Sequence, residues 1–84
     1  MAHAFEAQLT FDGDEMERSE TKTGEPYIRL ANVTVETEYE TLDRTVMAFG
    51  DMTKIAEEIT FPKKPAKFLI EDRGRTFVIV GRAA

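Results

Sequence analysis

The chain has 84 residues, no cysteine, no tryptophan and a net charge of −5. A chain this short supports one domain over residues 1–84 with one core, because it buries only about 60–65% of the surface that unfolding exposes. The missing thiols exclude disulfides and thiolate metal sites. His3 is the only histidine and belongs to the terminal tail, so neither a histidine metal ligand nor a histidine general base is expected. No apolar run approaches the roughly 20 residues that cross a bilayer, and the start MAHAFEAQ lacks the basic and apolar regions of a signal peptide. A cytoplasmic protein without a membrane partner is the expectation.

The charge is unevenly spread. Residues 1–42 carry ten acids and three bases, net −7, whereas residues 43–84 carry six acids and eight bases, net +2. From Phe61 onward, Lys63, Lys64, Lys67, Arg73, Arg75 and Arg82 outnumber Glu71 and Asp72, for a net +4. An acidic molecule with this asymmetry can still present a basic face, and local potential governs partners more than total charge does.

Ala4–Phe11, AFEAQLTF, alternates strictly: Phe5, Ala7, Leu9 and Phe11 share one side, which predicts a strand with one buried face. DGDEMERSETKTGEP follows, polar and acidic, and reads as a loop or as a continuation of the strand around a bend, ending in the turn signals Gly24 and Pro26. Tyr27–Thr37 is rich in β-branched residues, but Ile28 and Leu30 fall on one parity and Val33 and Val35 on the other. A phase slip at Ala31–Asn32 predicts a β-bulge. Thr41–Phe49 is the next strand, joined through a polar loop around Glu38–Glu40 into a hairpin. Its end, VMAF, is apolar on both faces, which one core face does not explain.

Gly50 ends that strand and Asp51 is the expected helix N-cap. Met52, Ile55, Ala56 and Ile59 lie at i, i+3, i+4 and i+7, one narrow apolar stripe on a short helix. FPKKP closes it, since Pro62 and Pro65 cannot continue a helix. Strands over 66–72 and 75–82 finish the chain, joined by a tight turn at Arg73–Gly74. The expected fold is all-β with one short helix: a five-stranded OB-fold Greek-key barrel, with the helix between strands three and four capping an open end. A five-stranded α+β sandwich is the competing architecture.

Several segments resemble bacterial and phage single-stranded DNA-binding proteins. DGDEMERSETKTGEP is similar to the charged run after that family's first strand, and IRLANVTVETEYE to its second strand. VMAFGDMTKIAEEI resembles the third strand ending in Phe-Gly with the helix behind it, and KKPAKFLIEDR the lysine-rich turn and fourth strand. The matches run in order over about residues 5–75. The resemblance implies a barrel face whose aromatics stack on unpaired bases while lysines and arginines meet phosphates. It puts stacking on Phe49 and, more loosely, on Tyr39. Val46 and Ala48 would then enter the core, while Thr45, Met47 and Phe49 form an outer apolar shelf. Arg29, Lys67, Arg73 and Arg75 would track the backbone. The sequence departs from the family at Asp43, where tryptophan is frequent, in the shortened finger Arg73–Gly74–Arg75, and in lacking the acidic C-terminal tail. Those departures imply a minimal relative, phage- or plasmid-borne, or a primosome-type accessory, rather than the main housekeeping protein of the family.

No catalytic set, metal cluster or cofactor is expected. Glu57–Glu58 and Glu71–Asp72 are adjacent pairs, and adjacent side chains diverge on a helix or strand. There is no Ser/His/acid set and no phosphate loop, and DGDE at 12–15 lacks the register of an EF-hand. The leading expectation is therefore binding of single-stranded DNA, or RNA, without sequence preference by a homodimer or tetramer, because exposed strand edges and an apolar shelf favour self-association. The alternative is a protein-interaction module, accessory or inhibitory, whose acidic half meets a basic partner; charge reversal at Glu15, Glu17 and Glu20 would break it.

Overall fold

The computed structural model describes residues 4–60 and 64–83, so the expectations for His3, Phe61, Pro62 and Lys63 fall outside the described residues. The elements are β1 (Ala4–Phe11), β2 (Met16–Glu20), β3 (Pro26–Glu36), β4 (Thr41–Phe49), α1 (Met52–Ala56) with a 3-10 turn over Glu57–Ile59, β5 (Ala66–Asp72) and β6 (Thr76–Arg82). All six strands belong to one sheet in the order β1-β5-β6-β4-β3-β2, and β1 also pairs with β3. Every pairing is antiparallel except β4 with β6, which is parallel. The Cα radius of gyration is 11.8 Å, which matches the roughly 12 Å of a compact chain of this length.

The expected count of five strands is corrected to six. Met16–Glu20 pairs with Pro26–Leu30 in a regular antiparallel register, yet all five of its residues are exposed. MERSE therefore carries no apolar alternation, because neither face of β2 is covered. The turn after it is tied by the Thr21 N–H to the Glu25 carbonyl at 2.8 Å, with Gly24 at φ +86°.

The core forms as the alternation requires. Ala7, Leu9 and Phe11 of β1 are buried against Ile28, Leu30, Val33 and Val35 of β3, Val46 and Ala48 of β4, Phe68 and Ile70 of β5, and Phe77 and Ile79 of β6. The phase slip in β3 is a bulge: Leu30 faces Val46 but Val33 faces Arg44, so β3 spends one residue more than β4 over that interval. Asn32 absorbs it at φ +57°, a conformation that asparagine tolerates better than most residues. The bulge is what lets Val33 and Val35 enter the core despite their changed parity.

The helix stripe is also present. Ala56 and Ile59 are buried, and Met52 and Ile55 pack at the edge of the core. Asp51 does not cap it, however: its backbone is already helical (φ −65°, ψ −19°) and its side chain makes no capping hydrogen bond. Capping by a side chain needs an extended residue at that position. Here Gly50 takes the corner at φ +58°, and its carbonyl accepts from both the Thr53 N–H (3.1 Å) and the Thr53 hydroxyl (2.8 Å).

Candidate nucleic-acid interface

Strand parity carries the residues left out of the core onto an outer surface of β2, β3, β4 and β6. Tyr27 lies across from Phe49 and Arg29 across from Met47. On either side, Ser19 and Glu17 of β2 face Tyr27 and Arg29, and Val78 of β6 faces Met47. The two apolar faces of VMAF are thereby explained: Val46 and Ala48 are buried, while Met47 and Phe49 are half-buried on the shelf.

The shelf has an aromatic end. The Phe49 and Tyr27 rings meet at 5.8 Å between centroids, tilted by 47°. Gly50 fixes this end through its N–H to the Pro26 carbonyl at 2.8 Å, so the ends of β3 and β4 that carry the two rings are joined. Val80 of β6, 39% exposed, extends the apolar surface on the same parity as Val78. Rings held part-open on a rigid strand can stack on planar ligands without prior ordering.

Positive charge on this face comes from few groups. Of six arginines, Arg18 pairs with Glu57 (2.6 Å), Arg73 with Glu71 (2.6 Å), and Arg82 with Glu58. Arg44, on the inward parity of β4, leaves the core at its rim and lies 5.9 Å from the Phe77 ring centroid. Arg29 and Arg75 are exposed and make no ion pair among the described residues. Arg29 sits beside the shelf, and Arg75 precedes Thr76, which pairs with Thr45 two residues below Met47. Carboxylates share the face. Glu17 lies across from Arg29 and 3.5 Å from the Tyr27 hydroxyl, and Asp43 accepts a hydrogen bond from Thr34 at 3.3 Å.

The seven residues singled out in the sequence thus divide. Phe49, Met47 and Arg29 are brought together, and Arg73 and Arg75 form the turn beyond the other end of the same face, where Gly74 at φ +87° donates its N–H to Asp72. Tyr39 and Lys67 are not in that group: like the Arg73–Arg75 turn they lie toward the end of β4 opposite Phe49, but they line a cleft that opens there against β1. Eight strand steps separate Thr41 from Phe49, about 26 Å at about 3.3 Å per residue. Tyr27, which the sequence reading passed over, is the second ring of the shelf; its even spacing from Arg29 on a strand was the available signal. Among the described residues no cluster of acids and histidine is arranged to hold a metal ion, and no helix is long and apolar enough to cross a membrane.

Comparison with family models, curated proteins and solved structures finds no match for this chain.

Proposed function

We propose that this chain is an OB-fold barrel, akin to the single-stranded DNA-binding proteins, that binds unpaired DNA without sequence preference as a homo-oligomer. The barrel reading is supported by the pairings, which run from β1 through β5, β6, β4 and β3 and return to β1. In that reading β1 and β2 are two legs of one bent strand, the parallel β4–β6 contact is the closing pair, and the apolar stripe of α1 covers one end. An OB-fold presents the outer face of its second and third strands to oligonucleotides, and these correspond to β3 and β4.

The observation that carries the function is the Tyr27–Phe49 pair beside Met47 and an Arg29 that has no ion pair among the described residues, with Arg75 further along the same face. Bases stack on Phe49 and Tyr27, while Arg29 and Arg75 meet phosphates, with Arg73 a weaker contact because Glu71 already holds it. Tyr39 and Lys67 take no part. Stacking tolerates every base, so sequence preference is slight. Glu17 and Asp43 weaken the local potential, and with so few phosphate contacts affinity falls only gently as salt rises, by about 0.7 in log K per log salt for each contact. Self-association uses the outer edge of β2, which has no strand beside it among the described residues.

Fluorescence anisotropy with labelled oligo-dT at low and moderate salt tests the reading, and an oligo-U arm separates DNA from RNA preference through the 2′-hydroxyl. Saturable binding that weakens with salt is expected. Absence of binding by both oligomers at low salt would refute it.

A further inference from the structure

A second feature lies away from the β3–β4 face. Residues 4–9 of β1 pair with β5, but pairing with β3 starts only at Gln8 opposite Glu36. Over residues 5–7 β1 therefore has no strand on its other side among the described residues. Between it and the β3–β4 hairpin is a cleft of about 810 Å³. Four consecutive residues of β1, Phe5 to Gln8, line the cleft, as happens when a strand presents its backbone edge instead of one face.

The floor is apolar. Phe5 and Phe77 meet edge-to-face at 5.6 Å between centroids, and Leu42 packs against the core beside them. The rim is acidic: Glu6, Glu36, Glu38, Glu40 and Asp72 line the cleft, with Lys67 the single cation among the described residues. None of these five carboxylates is in an ion pair among the described residues. The far wall is preorganised, because the Thr37 hydroxyl accepts from the backbone N–H groups of Tyr39 (3.2 Å) and Glu40 (3.1 Å) and the Thr37 N–H donates to the Glu40 carbonyl (2.9 Å). Tyr39 stands at this rim with 91% of its surface exposed.

We propose that this cleft binds an extended peptide segment of alternating apolar and basic residues, which adds as a strand along β1 at residues 5–7. A strand offers its backbone groups to an unpaired edge, and its side chains then alternate between two directions. One set reaches the Phe5, Leu42 and Phe77 floor, and the other meets the carboxylates. The same carboxylates repel phosphate, so nucleic acid is the wrong ligand here. The inference does not depend on base stacking at Phe49 and Tyr27, which lie at the other end of β4, although the Arg73–Arg75 turn adjoins this cleft at Asp72.

The test uses a fluorescein-labelled octapeptide alternating Lys or Arg with Val or Leu, and a control peptide with Glu at every basic position. At low salt the basic peptide binds and the acidic one does not. The double variant Glu38→Lys, Glu40→Lys alters two exposed side chains and weakens peptide binding about tenfold or more, equivalent to at least about 1.4 kcal/mol. Oligo-dT binding by this variant is undiminished. Should the double variant misfold, Glu6→Lys serves in its place. Hydrogen exchange shows new protection at the amides of residues 5–7 when the peptide is added. The proposal is overturned by equal affinity for the two peptides, by no binding of either, by charge reversal without effect, or by protection confined to residues 27–29 and 45–49.

Discussion

Replacing Phe49 separates a stacking surface from a merely structural ring. Phe49→Ala removes the Tyr27 contact at 5.8 Å, and an aromatic pair contributes about 0.5–1.5 kcal/mol beyond burial. The ring is half-buried, so lost burial adds about 1 kcal/mol. Together these cost about 2 kcal/mol, which lowers Tm by roughly 8–16 °C in a domain of this size. Native domains of this length hold roughly 4–13 kcal/mol, so the variant stays largely folded. For binding, one lost base stack costs about 1–3 kcal/mol, or about 5- to 150-fold in Kd. Phe49→Leu is the more telling change: it keeps apolar bulk and most of the stability but presents no π-face. Anisotropy with oligo-dT should show Leu nearly as damaging as Ala, and Phe49→Tyr close to wild type. A folded Phe49→Leu protein that binds oligo-dT like the wild type would refute stacking at this position.

Other expectations follow from the same geometry. Arg29→Ala and Arg75→Ala should each flatten the plot of log K against log salt by about 0.7 for the phosphate contact removed; Arg73→Ala should do less, since Glu71 already engages it. Tyr39→Ala should leave oligo-dT affinity unchanged and stability within about 0.5 kcal/mol by denaturant titration, because its side chain is 91% exposed at the far end of β4. Gly50→Ala should destabilise by about 1 kcal/mol or more, read as a lower thermal midpoint, because φ is +58° and a Cβ there would lie 3.4 Å from Glu25 Oε2.

Much of the strand framework was legible because one face of each core strand is buried, and burial writes a two-residue period. Thr41–Phe49 and Ala66–Asp72 coincide with their predicted limits, and the bulge at Asn32 was visible as a phase change between Leu30 and Val33. β2 was not assigned as a separate strand, since its residues are exposed on both faces and nothing selects apolar side chains there. The Asp51 cap failed because the decisive residue was its neighbour: Gly50, at positive φ, turns the chain one position earlier. Within the site, parity correctly grouped Met47, Phe49 and Arg29 on an outer face. Parity within β4 says nothing about where a residue of the β3–β4 loop or of β5 falls along it, so Tyr39 and Lys67 do not join Phe49 although the sequence suggests it: both line the cleft at the far end of β4. That Arg29 and Arg75 have no ion pair among the described residues was likewise hidden, because it depends on long-range pairs such as Arg18 with Glu57 and Arg82 with Glu58.

The proposed nucleic-acid interface is tested most directly by following backbone amide resonances during a titration with oligo-dT. The account predicts saturable shifts concentrated at residues 27–29, 45–50 and 73–76, with residues 5–8 and 37–42 unmoved. Shifts confined to the 5–8 and 37–42 cleft, or no shifts at all at low salt, would contradict it.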